Sequence, residues 1–227
     1  MKKTILIIGA GARLGKACAE QFHATGSYDL VLHYHTNKQE TETLAKKIHA
    51  KKIIKADLTK PSGIKKLITV ADPVDIVINT LGSFIYKPLL KTTTREFNDC
   101  ILHNVSIAWQ LSQAFLPNMI HNNFGRIINF GSVGCDQITA RPLTTPYYIG
   151  KTGLVILTKS LATELMGTNV TINLVSPGVL PTGVRPDQKI PLIPFDAVAR
   201  AVVFLVADEN HYCNGTNLEI SAGWRPE

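Results

Sequence analysis

Residues 5–15 read Ile5-Leu6-Ile7-Ile8-Gly9-Ala10-Gly11-Ala12-Arg13-Leu14-Gly15. Four consecutive apolar residues predict a short strand buried on both faces, as in a parallel sheet. Gly9, Gly11 and Gly15 then predict a tight turn into an amphipathic helix over Leu14–Thr25. Such a turn points backbone N–H groups at whatever lies above the sheet, and a helix start favours an anion there.

The same alternation continues along the chain. Short β-rich runs recur at Leu30–His33, Ile53–Ile54, Ile76–Ile78, Ile127–Phe130, Ile172–Val175 and Leu218–Ile220. Helical patterns fall between them, at Lys38–His49, Gly63–Val70, Arg95–Leu116, Tyr147–Leu165 and Ala197–Val206. Strands alternating with helices imply right-handed crossovers and an α/β, doubly wound, mostly parallel sheet of about seven strands between two helix layers. No repeat, low-complexity tract or linker divides residues 1–227, so one domain is expected. A Pro-rich stretch from Pro177 to Pro194 reads as a loop after a strand.

Composition narrows the function classes. The chain has 227 residues, 45% apolar and 18% charged, which suits a soluble globule with a full core. Its formal charge is +7, and Lys46, Lys47, Lys51, Lys52, Lys55, Lys65 and Lys66 are close in sequence. No interleaved aromatics accompany these lysines, so they read as a solvated face rather than a nucleic-acid surface. Four scattered cysteines, Cys18, Cys100, Cys135 and Cys213, form no CxxC pair and no zinc spacing. Free thiols in a reducing cytoplasm are the expectation. Met1-Lys2-Lys3 before an apolar run imitates a signal peptide, but Arg13 and Lys16 interrupt it before Ala17-Cys18-Ala19. No run reaches the ~20 apolar residues of a membrane span.

The motifs that carry chemistry lie at the carboxyl ends of the expected strands, where open α/β sheets bind ligands. After the second strand come His35, Thr36, Asn37 and Lys38, with no acid before Glu40. An acid would bind a ribose 2′-OH, whereas donors and cations suit a 2′-phosphate, with Arg13 joining from the turn. This pattern favours NADP(H) over NAD(H). Asp57 and Leu58 follow the third strand. Asp57 is read as an acceptor for the adenine amino group, or as a helix cap, and Leu58 as packing on the ring. Tyr147 and Lys151 stand four apart, hence on one face of a helix, with Ser132 upstream. Tyr148 competes with Tyr147, but only Tyr147 has the four-residue spacing.

Taken in order, these residues resemble the classical short-chain dehydrogenase/reductase family across essentially the whole chain. The likeness rests on Gly9–Gly15, Asp57, Asn79-Thr80-Leu81-Gly82, Asn104, Ser132, Tyr147-x-x-x-Lys151, and Asn173 through Pro177-Gly178 to Thr182. It implies a Rossmann-type fold and hydride transfer from NADPH to a carbonyl. Tyr147 is then the proton donor, Lys151 and the nicotinamide charge lower its pKa, Ser132 holds the carbonyl oxygen, and Asn104 keeps a water behind Lys151. Gly9, Gly11, Arg13, Leu14, Gly15, Asn79, Leu81, Gly82, Pro177, Gly178 and Thr182 are implied cofactor contacts. The separation of Ser132 and Tyr147 exceeds the family's usual one by about two residues, which a bulge within Gln137–Thr145 would absorb.

Arg13, the strand end Leu32-His33-Tyr34-His35 and Gly82-Ser83-Phe84-Ile85-Tyr86-Lys87-Pro88 resemble pteridine reductases locally. That likeness implies Ser83 and Phe84 on the substrate, with Phe84 stacked on a pterin. Those enzymes commonly carry aspartate where Ser132 stands, and a serine suits a ketone. A β-ketoacyl thioester or a small alicyclic ketone is the alternative substrate, and a non-catalytic NADP-binding scaffold the alternative function. The segment 183–195, normally a substrate lid, is short. A homodimer or homotetramer through the helices of Asn104–Leu116 and Tyr147–Leu165 is implied, with no nucleic acid and no membrane.

Overall fold

The computed structural model describes residues 2–71 and 73–226. Its elements run β1 Lys3–Ile8, α1 Arg13–Thr25, β2 Tyr28–Tyr34, α2 Lys38–Lys47, β3 Lys52–Lys55, α3 Pro61–Ala71 and β4 Ile76–Asn79. They continue with α4 Thr94–Ile101, a π turn at Leu102–Ser106, α5 Ile107–His121, β5 Gly125–Phe130, α6 Thr145–Glu164, β6 Val170–Pro177, α7 Phe195–Val206 and β7 Asn217–Ile220. All seven expected strands form and join into one sheet of order β3-β2-β1-β4-β5-β6-β7. Every pairing is parallel.

The apolar run at the N-terminus explains the layers. Successive side chains of a strand point to opposite faces. Ile5 and Ile7 join Phe22, Leu32, Leu44, Val198 and Val202 in one core. Leu6 and Ile8 join Val31, Leu67, Ile107 and Leu111 in the other. One strand with no polar interruption thus supplies both sides of the sheet. The open edge strand β3 carries Lys52 and Lys55, a charged edge that discourages pairing with another chain.

The largest departure from expectation lies in the long helix. The pattern over Arg95–Leu116 predicts one continuous helix. Instead α4 ends at Ile101, five residues form a π turn, and α5 runs on to His121 with Pro117 inside it. Thr93 starts α4 with a reciprocal capping box to Glu96. An i→i+5 turn has no hydrophobic period of its own, so the sequence pattern passes over it, and such turns gather at functional sites. It holds Asn104.

A buried histidine fastens the glycine turn to the sheet. His33 is 1% exposed. Its Nδ1 accepts from the Gly9 N–H at 3.4 Å, and its Nε2 lies 3.1 Å from the Ala56 carbonyl, to which it donates. Both roles require the neutral Nε2–H tautomer. Burial pushes its pKa down to about 4; the Ala56 bond opposes that shift and His35 adds to it. Between about 4 and the ordinary 6.5, the unfolded chain therefore holds a proton that the fold rejects. His33 contributes its full stability above pH 6.5 and loses it as pH falls toward 4, a swing on the order of 3 kcal/mol. Asp57 and Glu96, both held down at about 2, lose theirs at lower pH. Melting temperatures of the protein and of His33→Asn across this range are expected to differ in slope. A parallel decline in both would show that His33 does not titrate with unfolding.

Candidate active site

A cleft of about 1050 Å³ opens above the carboxyl ends of the strands. Gly9, Arg13, Leu14 and Asn37 line it from β1, the glycine turn and the end of β2, Leu81, Gly82, Pro177, Gly178 and Thr182 from the ends of β4 and β6, and Phe84, Ser132 and Tyr147 complete the wall. Twelve of the sequence candidates thus share one continuous wall.

The glycine turn is shaped by close approach. Gly9 has φ +75° and Arg13 φ +50°, the region that favours glycine. A Cβ on Gly15 would lie 2.2 Å from the Gly9 carbonyl oxygen, so only glycine lets α1 start this close to β1. Gly11 has the same constraint against Thr41 at 2.4 Å. Gly11 and Gly15 shape the turn from behind and do not line the cleft. The arrangement fits the pyrophosphate of a dinucleotide: a bare glycine turn at a helix start, continuous with a cleft that reaches the tyrosine.

Outside that wall, His35, Thr36, Asp57 and Leu58 occupy the neighbouring strand ends. His35 Nε2 is 3.9 Å from Asp57. The Asp57 carboxylate accepts from both the N–H and the hydroxyl of Thr59 and lies 3.4 Å from Lys60. Those bonds hold it low in pKa, the Thr59 hydroxyl foremost. Asp57 therefore braces the loop before α3 through Thr59, two residues short of the helix itself, rather than capping a helical N–H. Asn79 also turns inward, donating to Asn129 at 2.9 Å and accepting from the Leu81 N–H.

Helix α6 carries the reacting pair. Proline at its second position starts it, and Tyr147 and Lys151 fall on one face. Lys151 is 4% exposed and its Nζ donates to the Phe130 carbonyl at 2.6 Å. The ammonium lies 5.6 Å from the centre of the Tyr147 ring. Burial pushes Lys151 down to about 8 and raises the Tyr147 phenol above its ordinary value; Ser132 partly offsets the latter. Desolvation thus dominates the phenol's own surroundings, and the ammonium faces the end of β5; the expected lowering draws on the nicotinamide charge as well as on Lys151.

Tyr148 is engaged elsewhere. Its hydroxyl donates to the Val133 carbonyl at 3.1 Å, and Arg141 stacks 4.7 Å above its ring. That leaves Tyr147 as the phenol behind which Lys151 stands. The extra residues between Ser132 and Tyr147 form two successive turns, with Gln137 N–H on Gly134 and Thr144 N–H on Arg141. Ser132 stays beside both phenols.

Behind Lys151, the π turn presents Asn104. Its amide donates to the carbonyls of Ser83 and Cys100, each at 2.9 Å. Its Oδ1 is buried without a partner, as is the hydroxyl of Ser83. A Cβ on Gly82 would meet Asn104 Oδ1 at 2.9 Å and Lys151 Nζ at 3.3 Å. A bare residue at 82 keeps this polar corner open. Phe84 lies across the cleft, half exposed, edge-on to Tyr147 with ring centres 4.9 Å apart and stacked with Tyr86.

Sequence reasoning missed several wall residues: Thr80, Tyr86, Leu143, Trp224 and Pro226. Thr80 was readable, since its hydroxyl bonds the Ile8 carbonyl at 2.6 Å beside the glycine turn. Trp224 and Pro226 gave no signal, because only the path of the chain after β7 brings them near Ser132. Among the described residues no helix is long and apolar enough to cross a membrane, and no cluster could hold a metal ion. All four cysteines are free.

Comparison with known proteins agrees with this architecture. The short chain dehydrogenase family model matches residues 3–190. The 3-oxoacyl-[acyl-carrier-protein] reductase of Buchnera aphidicola is 30% identical, over 98% of this chain and 97% of that protein. Its counterpart from Haemophilus influenzae is 29% identical over 97% of each. A solved short chain dehydrogenase/reductase family protein superposes with TM-score 0.89 at 25% identity, covering 97% of this chain and 96% of its own. Acetoin dehydrogenase YohF from Salmonella typhimurium shares the fold, at TM-score 0.86 and 24% identity over 98% and 96% of the chains. A glycine turn, a seven-stranded parallel sheet and a tyrosine–lysine pair on one helix face thus accompany a family match over most of the sequence, and the chain belongs to the short-chain dehydrogenase/reductase family of nicotinamide-dependent oxidoreductases.

Proposed function

We propose that this protein is an NADPH-dependent reductase of a carbonyl substrate. The observation that carries the proposal is the Tyr147 phenol on the wall of the cleft that begins at Gly9, with Lys151 buried behind it. NADPH, when bound, supplies a hydride and leaves as NADP⁺. Gly9, Arg13, Leu14 and Asn37 hold its phosphate-bearing half; Leu81, Gly82, Pro177, Gly178 and Thr182 border the path to the nicotinamide. Gly11 and Gly15 keep the turn tight, Asn79 braces the end of β4, and Asp57 and Leu58 border the place of the adenine.

Ser132 donates to the substrate oxygen and orients the carbonyl carbon toward the hydride. As that carbon gains the hydride, the oxygen takes the phenolic proton of Tyr147, and the product is an alcohol. Lys151 favours the phenolate left behind. Asn104 Oδ1 and the Ser83 hydroxyl hold a water that returns the proton through Lys151. Burial disfavours the charged forms of both Tyr147 and Lys151, so the positive nicotinamide ring that remains after the hydride has left, with the ribose hydroxyls, would help the phenolate form.

Two substrate classes have support. A β-ketoacyl thioester or small ketone accords with Ser132 and with the oxoacyl reductases among the relatives. A pterin-like C=N accords with Phe84 on the cleft beside Tyr147. Free thiols suit a reducing cytoplasm. The outer faces of α5 and α6 expose Trp109, Ile149 and Ile156, and we place a homodimer contact there. Sedimentation of a monomer at micromolar concentration would remove that contact.

Replacing Tyr147 with Phe is expected to lower kcat by roughly 10²–10⁴-fold while NADPH affinity stays nearly constant. Retained turnover would reassign the acid, and tight NADPH binding with no oxidation by any ketone or pterin would make the protein a scaffold. For cofactor choice, kcat/KM is expected to be at least about tenfold higher with NADPH than with NADH, and Arg13→Ala to narrow the gap. Parity between the two cofactors in the unaltered protein would defeat the argument from Arg13, His35 and the missing acid.

A further inference from the structure

After the last strand the chain borders the cleft with Trp224 and Pro226. Ser221 to Trp224 form a reverse turn closed by the Trp224 N–H on the Ser221 carbonyl at 3.1 Å. Both central residues, Ala222 and Gly223, have positive φ, at 51° and 82°. Alanine in that region is strained, so the surrounding contacts must hold it. They do. Arg225 grips Glu219 of β7 through two nitrogens, at 3.0 and 2.8 Å. The other carboxylate oxygen of Glu219 accepts from the Gly134 N–H at 2.9 Å. Gly134 is two residues beyond Ser132, and a Cβ on it would touch Pro226 at 3.3 Å.

The ion pair is half in water at Arg225, and an exposed pair alone would hold little. Glu219 is mostly buried, though, and its backbone bond adds a charge-assisted contact. The turn, the loop of Ser132 and the end of β7 therefore form one unit. That unit presents Trp224 and Pro226 to the cleft, on a wall shared with Val133, Leu143 and Tyr148. The segment 183–195 also borders the cleft, but only through Gly183, Val184 and Pro186; further along, Ile190 and Ile193 are buried against the body, and Arg185 is tied to the Ile190 carbonyl.

We propose that this clamped turn makes Trp224 a specificity-determining residue, adding an aromatic wall to the small aliphatic one that Gly183, Val184 and Pro186 supply and selecting a flat, apolar group attached to the reacting carbonyl. The inference rests on the reductase reading for its chemistry. It rests on the turn itself for its geometry. An indole adds apolar area at low conformational cost, and aromatic contact rewards a planar partner more than a small aliphatic one. Glu219 and Arg225 are positioning residues in this scheme.

Two ketones test it, bicyclic 2-tetralone and compact diacetyl. Trp224→Ala is expected to raise KM for 2-tetralone about tenfold, while KM for diacetyl and for NADPH stays within about twofold. Trp224→Phe is expected to recover most of the loss, and Arg225→Gln to shift the 2-tetralone KM in the same direction as Trp224→Ala. Equal changes for both ketones, or none, would overturn the proposal. Binding is read separately from turnover. The chain has two tryptophans, so Trp109→Phe leaves Trp224 as the sole tryptophan, read by tryptophan-selective excitation. Its emission with NADP⁺ present is expected to change saturably with 2-tetralone. A linear or absent response would overturn the assignment of Trp224. Saturable binding without reduction of either ketone would instead retain Trp224 as a ligand wall and count against the reductase reading.

Discussion

The site depends on where one ammonium group is anchored. Lys151 reaches from α6 into the sheet and donates to the carbonyl of Phe130, the last residue of β5. Three other segments must come close around it. Gly82 at the end of β4 leaves room for the Nζ, and Gly150 lets the helix approach Asn104, whose Cβ would lie 2.9 Å from a side chain there. Cys100 and Cys135 approach from either side and stay thiols, since burial raises both. A buried amine is costly unless its donors are met. Phe130 meets one, and the open corner beside Asn104 is where the rest can be met.

That anchoring sets the balance of charge. In water a tyrosine and a lysine four residues apart would form no special pair. Here desolvation moves both toward neutrality, the phenol upward and the amine downward. Ser132 is the group that pulls Tyr147 back. Two residues later in the same loop, Gly134 is tied to Glu219, so the position of Ser132 is coupled to the last strand.

Much of this was legible in the chain. Ile5–Ile8 had to be a doubly buried strand because no polar residue interrupts it, and the other strands announced themselves in the same way. Tyr147 and Lys151 were readable because helical geometry converts a spacing of four into a shared face. Gly15 was readable because a helix cannot start so near a strand with a Cβ in between. Asp57 was legible only as two alternatives, since a carboxylate before a helix serves a loop as readily as a ligand. The burial of Tyr147 was not legible: Lys151 is near in sequence, but its nitrogen points at β5, and burial is a property of the whole fold. The π turn escaped because its signature is a change of backbone hydrogen bonding with no change of pattern. Trp224 escaped because nothing local links it to Ser132, nearly a hundred residues away.

The widened turn at Leu102–Ser106 changes the phase of the helix beyond it. One surplus residue rotates the remaining turns by about 100°. The stripe that α5 lays on β4 and β5, from Ile107 through Leu111, is therefore registered against a different azimuth from the stripe of α4. Asn104 reaches Ser83 and Cys100 from inside that offset. The vulnerable quantity in this stretch is thus chain length more than chemistry: dropping a single residue would let the helix relax to regular pitch, twist one half relative to the other, and swing the amide out of the corner it now fills.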